Sequence, residues 1–105
     1  MSFNKSPLAF DDMRDVFEKA LNSAKGVRIP CANRGAAIVL RSRLNYFRKI
    51  NRDENRQIYS LDHPMHGRSV YDKLVLRIAA KGDKEDNVLY VEQRTIDNLI
   101  IEEIQ

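Results

Sequence analysis

Residues 70–94 have the sequence VYDKLVLRIAAKGDKEDNVLYVEQR, whose pattern is the basis for the predicted sheet. Apolar side chains alternate with other side chains over residues 70–80 and again over residues 87–94, which is the two-residue period of a strand. A charged loop with one glycine, residues 81–86, separates the two runs. The sequence therefore predicts an antiparallel hairpin with one buried face.

Two helices and a short strand are predicted ahead of this hairpin. Apolar residues recur every three or four positions over residues 8–25, and Gly26 ends that helix. Residues 27–31 alternate and predict a strand. Asn33 caps a second helix that runs from residue 34 to about residue 50, or to residue 52 if it is lengthened. Residues 51–69 show no sustained period, so we expect a long loop that is mobile in the free protein.

The order of these elements is helix, strand, helix, strand, strand. It predicts an α+β fold in which two helices pack on one face of a small antiparallel sheet of three or four strands. The isoleucines of the tail, residues 96–104, favour a fourth strand. A length of 105 residues fits a single domain, 1–105, and the edges of so small a sheet leave room for a homodimer.

Composition excludes several classes of protein. No apolar stretch approaches the roughly 20 residues that span a bilayer, and the first residues lack the apolar core of a secretory signal, so a cytoplasmic location is expected. The single cysteine, Cys31, forms neither an internal disulfide nor a cysteine-based zinc site. The four glycines are scattered, so none belongs to a phosphate-binding glycine loop. We expect no cofactor.

Positive charge is concentrated in the middle third of the chain. Residues 1–24 have a net charge of −1, residues 25–56 carry nine basic and two acidic groups for a net charge of +7, and residues 57–105 have a net charge of −3. Seven of the nine basic groups are arginine, whose planar guanidinium pairs with phosphate better than a lysine ammonium does. This asymmetry is the main functional signal in the sequence.

The second predicted helix has a basic face. At 100° per residue, cations and one amide fall within an arc of about 100°, and the apolar stripe lies roughly opposite. The residues of the basic arc are Arg34, Arg41, Asn45, Arg48, Lys49 and Arg52. Arg43 lies at the edge of the apolar stripe, where we expect it to extend towards solvent or to pair with a carboxylate such as Asp72.

Like charges four and seven residues apart do not stabilise a helix, so an external anion is expected to neutralise them. Such a row of cations can follow a phosphate backbone, with Arg56 and Arg68 extending it from the loop. The sequence thus predicts a non-enzymatic protein that binds DNA or RNA. Two other interpretations remain open, a solvated face balanced by acidic residues elsewhere in the chain and an adaptor that binds an acidic protein.

A second candidate site lies in the predicted loop. Asp62, His63 and His66 stand within five residues of one another and supply side chains that bind metals or transfer protons. Their spacing is not that of a helical zinc motif, and no further ligand follows nearby. A small metal-dependent nuclease is therefore the enzymatic alternative.

Overall fold

The structure, a computed structural model, describes residues 10–93, with side chains described from Asp12 onward. Its elements are α1 (Phe10–Leu21), β1 (Val27–Pro30), α2 (Arg34–Ile58), a 3-10 helix (Val70–Lys73), β2 (Leu74–Ile78) and β3 (Val88–Gln93). The strands form one antiparallel sheet in the order β1-β3-β2. The predicted α+β fold, with two helices on an antiparallel sheet in the order α-β-α-β-β, is confirmed. The fourth strand predicted over residues 96–104 lies outside the described residues.

The register of the sheet places the apolar residues on one face. Leu89 lies opposite Ile29 on one side and opposite Ile78 on the other. Val91 lies opposite Val27 and Leu76 in the same way. Because alternate side chains of a strand point to the same face, these two layers line the face that the helices cover, where Leu89 and Val91 have no exposed surface.

Three aromatic rings join the helices to the start of β2. The ring of Phe17 in α1 stacks on Tyr71 with centroids 4.9 Å apart, and the ring of Phe47 in α2 lies 5.9 Å from Phe17. The Tyr71 hydroxyl donates to Oε2 of Glu18 at 2.7 Å. Burial and this hydrogen bond raise the pKa of Tyr71 to about 12, so the hydroxyl remains a donor.

Helix α1 is shorter at its end than predicted. It ends at Leu21 rather than at residue 25, and residues 8 and 9 of the predicted helix lie outside the described residues. The Ser23 hydroxyl donates to the carbonyl of Lys19, which a further turn of helix would use, and the Asn22 side chain donates to the carbonyl of Glu18. Nε2 of Gln93 donates to the carbonyls of Ala20 and Leu21 at 3.0 Å each. A side chain of β3 therefore helps to terminate this helix.

Helix α2 is longer than predicted, because it continues through Ile58. Ion pairs support the additional turns, since Asp53 contacts Lys49 at 3.1 Å and Arg56 at 2.8 Å. Nδ2 of Asn55 also donates to the carbonyl of Arg68 at 2.6 Å. These turns bury no apolar stripe, so the apolar period that predicts a helix is absent from their sequence.

Residues 59–69 form consecutive hydrogen-bonded turns. The amides of His63, His66 and Arg68 donate to carbonyls three residues earlier at distances of 2.9–3.0 Å. The rings of Tyr59 and His63 stack with centroids 4.3 Å apart. The prediction of a structureless loop over residues 51–69 is therefore wrong.

The strand predicted over residues 70–80 begins later and ends earlier. Its first four residues are a 3-10 helix with a capping box, in which the Ser69 hydroxyl accepts from the amide of Tyr71 and the Asp72 carboxylate accepts from the amide of Ser69. The other strands differ by one residue from prediction, since β1 ends at Pro30 and β3 begins at Val88. Among residues 10–93, no helix is long and apolar enough to span a membrane.

Candidate nucleic-acid interface

Helix α2 carries the highest density of positive charge in the described chain. It contains seven cations and two carboxylates, a net charge of +5. Asn33 caps its start by accepting from the amide of Ala36 at 2.8 Å. Its buried residues, Ala37, Leu40, Leu44 and Phe47, all lie on the side that faces the core. The cations are consequently divided between the flank of α2 beside β2 and the side that faces away from the sheet.

We name the flank beside β2 the arginine row, which consists of Arg34, Arg41, Arg48 and Arg52. Nη1 of Arg34 donates to the carbonyl of Ala79, just beyond the end of β2. Nη1 of Arg48 donates to the carbonyls of Tyr71 at 2.9 Å and Leu74 at 2.7 Å, at the start of β2. The two arginines thus hold the two ends of this edge strand against α2.

One member of the arginine row pairs with a carboxylate of the described residues. Arg52 pairs with Asp72 at 2.6 Å. Burial alone raises the pKa of Asp72, but the hydrogen bonds from Arg52 and from the Ser69 amide outweigh it and leave the pKa below its usual value. The carbonyl partners of Arg34 and Arg48 fix the position of each guanidinium without cancelling its charge.

Arg41 occupies the middle of the row, seven residues from both Arg34 and Arg48, or about 10 Å along the helix axis. Its side chain is half-buried and forms no hydrogen bond or ion pair within residues 10–93. Asn45, the predicted amide of the basic arc, accepts from Nη2 of Arg48 at 2.9 Å. Asn45 therefore orients a neighbouring arginine in this structure.

The remaining cations of α2 face solvent. Lys49 and Arg56 share the single carboxylate of Asp53, and the hydrogen bonds from Lys49 and then Arg56 lower the pKa of Asp53. Two cations on one carboxylate leave an excess of one positive charge. Arg43 is exposed and has no side-chain partner within the described part of the chain. Arg43 therefore extends towards solvent, one of the two placements expected for it, and Asp72 pairs with Arg52 instead.

The eight residues predicted to bind phosphate therefore occupy different environments. Arg34, Arg48 and Arg52 bind the fold itself, Asn45 orients Arg48, and Lys49 and Arg56 are exposed although they share a carboxylate. Arg41 and Arg68 have no side-chain partner among residues 10–93. Arg43 is a further exposed cation of α2 that the helical wheel did not place in the basic arc. The wheel placed it at the edge of the apolar stripe instead.

The histidine segment follows α2. The amide of Met65 donates to Nδ1 of His63 at 3.0 Å, and Nδ1 of His66 donates to the carbonyl of Tyr59 at 2.8 Å. Both Nδ1 atoms therefore form hydrogen bonds with nearby backbone atoms. Asp62 is exposed, and residues 10–93 contain no group of three or more His, Cys, Asp or Glu side chains placed to hold a metal ion. The nuclease alternative gains no support from this arrangement.

The sheet face away from the helices carries a second group of charges. Arg77 lies 4.2 Å over the ring of Tyr90 and donates to both carboxylate oxygens of Glu92, at 2.9 and 3.0 Å. On the other side of Tyr90, Arg28 pairs with Glu85 at 3.4 Å. Each of these two cations has its own carboxylate, whereas the cations of α2 outnumber the carboxylates that they contact within residues 10–93.

No protein-family model, no curated protein and no solved structure matches the chain.

Proposed function

We propose that the protein binds nucleic acid by its phosphate backbone, without enzymatic activity, through helix α2. One observation carries the proposal. The seven cations of α2 contact only two carboxylates, Asp53 and Asp72, among the residues that the structure describes. Within residues 10–93 these two carboxylates leave an excess of positive charge on α2, and a phosphate backbone supplies regularly spaced anions that can neutralise it.

In this proposal the cations of α2 have different roles. Arg41, Arg43 and Lys49 present charged groups that a phosphate can approach, and they are the contact residues of the proposal. Arg34 and Arg48 are held by carbonyls, so their contribution is a positive potential beside the contact residues. Because their positions are already fixed, little conformational entropy is lost there when an anion binds.

The test compares two double variants of equal charge. In one, Arg41→Ala and Arg43→Ala remove two contact cations, and in the other, Lys81→Ala and Lys84→Ala remove two exposed cations from the loop between β2 and β3. None of the four side chains has a described partner, so both variants should fold. Arg48 is unsuitable for this purpose because it binds two carbonyls of the fold.

The measurement is a salt titration of binding to single-stranded DNA, duplex DNA and RNA. For the α2 variant we expect weaker binding to every sequence and a salt slope reduced by about two units, because each phosphate contact contributes about 0.9. The loop variant should keep the slope of the unmodified protein. Equal losses in both variants would reject α2 as the interface, and equally tight binding of polyglutamate would favour an acidic protein partner.

The sheet also bears on the proposed homodimer. In the edge strand β2 the carbonyl of Leu74 accepts from Arg48, and just past its end the carbonyl of Ala79 accepts from Arg34, so a second copy that paired along β2 would meet these two side chains. Edge-to-edge pairing of two copies would therefore use β1, the other edge of the described sheet. Sedimentation of the protein at micromolar concentration tests this, and a monomer throughout would reject the dimer.

A further inference from the structure

Helix α2 exposes apolar side chains on the side that faces away from the sheet. Ile38 is 37% exposed, Val39 is 50% exposed and Tyr46 is 56% exposed. At 100° per residue they lie between about 40° and 140° from Arg34, among the cations Lys49 and Arg43 and away from the buried stripe. We name these five residues the outer face of α2.

The chemistry of the outer face restricts what can cover it. Aliphatic side chains between cations fit a segment that is both aliphatic and acidic. A second copy of α2 does not fit, because each copy of the helix has a net charge of +5 and the two would repel.

The carboxy-terminal segment of this chain has the required composition. Residues 94–105 have the sequence RTIDNLIIEEIQ, in which five of twelve residues are aliphatic and three carboxylates accompany one arginine. Residues 1–9, MSFNKSPLA, contain a lysine and no carboxylate, so they lack the complementary charge. Charge thus favours the carboxy-terminal segment over the amino-terminal one.

The position of Gln93, at the end of β3, permits the contact. Gln93 lies opposite Leu74, whose carbonyl accepts from Arg48 of α2 at 2.7 Å. Twelve residues can extend about 40 Å, and the 25 residues of α2 span about 37 Å. The carboxy-terminal segment can therefore reach the whole outer face.

We propose that residues 94–105 dock on the outer face of α2, rather than add a fourth strand to the sheet, and compete there with nucleic acid. The isoleucines cover Ile38 and Val39, and the carboxylates lie beside Arg43 and Lys49, two of the contact residues assigned above. Because the segment is tethered, its effective concentration at the helix is in the millimolar range, so even weak docking lowers the apparent affinity for nucleic acid. The competition rests on the proposed function, whereas the docking itself does not.

Docking is tested on the full chain without nucleic acid. In NMR spectra we expect nuclear Overhauser effects between the methyl groups of Ile38 or Val39 and those of isoleucines 96, 100, 101 or 104. Their absence in a fully assigned spectrum would overturn the proposal. Effects that disappear on dilution would overturn it as well, because they would come from a second molecule.

Competition is tested with a charge variant and a matched control. The variant Asp97→Asn, Glu102→Gln, Glu103→Gln neutralises the segment, and Asp15→Asn, Asp62→Asn, Asp83→Asn removes the same charge from exposed positions elsewhere. We expect the first variant to bind nucleic acid about fivefold more tightly than the control, the lower end of the range for coupled sites. Equal affinities would reject the competition. If neither variant nor the unmodified protein bound nucleic acid, the proposed function would fail, and the NMR result would still decide the docking.

Discussion

Arginines of the same helix have different roles because their surroundings differ. Arg48 donates to two backbone carbonyls and one side-chain amide and lies 5.7 Å over the ring of Phe17. Arg41, seven residues earlier, has no side-chain partner among residues 10–93. Position relative to β2 therefore separates an arginine that stabilises the fold from one that is available to an anion.

The replacement Arg48→Met should destabilise the protein by about 2 kcal/mol, because two carbonyls at the start of β2 lose their donor while the apolar stem is kept. Arg41→Met should change the free energy of unfolding by less than about 0.5 kcal/mol, since no described contact is lost. Urea unfolding of both variants measures the difference. Similar losses in the two would contradict the roles assigned to them.

The lowered pKa of Asp72 predicts how the stability of the fold depends on pH. Hydrogen bonds from Arg52 and from the Ser69 amide outweigh burial and hold that pKa below the ordinary value of 3.8. A lowered pKa in the folded state means that the ionised carboxylate stabilises the fold above the unfolded-state pKa. This contribution is lost as the pH falls through the folded-state pKa.

The matched variant Asp72→Asn keeps an oxygen acceptor at the capping box and lacks the titrating charge. Its deficit in unfolding free energy should be constant above about pH 5 and should shrink as the pH falls below about 4. Urea unfolding over a range of roughly pH 2.5 to 7 measures this deficit. A deficit that stays the same at acidic pH would show that the ion pair with Arg52 contributes nothing.

Among the connections between elements, the one between α1 and β1 is closely packed against β3 at Gly26. Gly26 has a φ angle of +94°, and a Cβ atom built there would lie 2.1 Å from the carbonyl oxygen of Val91. Gly82 in the loop between β2 and β3 has nearly the same φ, +93°, and open space around it. The two glycines share a backbone conformation and differ in their neighbours.

Replacement of each glycine by alanine separates conformational strain from steric conflict. Gly82→Ala should cost about 1–2 kcal/mol, the usual penalty for a side chain at positive φ. Gly26→Ala should cost more than about 3 kcal/mol, because the backbone of β1 or β3 must also move. Thermal unfolding followed by circular dichroism compares them, and equal losses would contradict the close packing of Gly26 on β3.

The boundaries of α2 show what local sequence can and cannot predict about an element. Its first part has a buried apolar stripe and an Asn33 cap, both of which the sequence displays. Its last two turns have neither, and they are helical because Asp53 pairs with Lys49 and Arg56 and because Asn55 binds the carbonyl of Arg68. The partner residue 68 is distant in sequence, so no periodic pattern encodes that contact.

At the scale of the whole molecule, one aromatic cluster joins three elements. Phe17 has no exposed surface and contacts both Phe47 and Tyr71, so α1, α2 and the start of β2 meet at one ring. A chain of 105 residues has a small core, and loss of a central ring removes a large part of it.

Phe17→Ala should therefore destabilise the protein by about 3–5 kcal/mol, and Phe17→Leu by clearly less because it fills most of the space. Chemical denaturation monitored by circular dichroism and by tyrosine fluorescence gives both values. A loss below about 1 kcal/mol for Phe17→Ala would show that the helices are held to the sheet by other contacts.

The α+β class, the order of the elements and the concentration of positive charge on the second helix could be predicted from the sequence, because periodicity and charge are local properties. Which cations bind other parts of the fold could be seen only in the tertiary structure. Arg34 and Arg48 bind carbonyls of residues 79, 71 and 74, and Arg52 binds Asp72. These partners lie 20 to 45 residues away along the chain, and only the packing of α2 against the edge of β2 brings them within hydrogen-bonding distance.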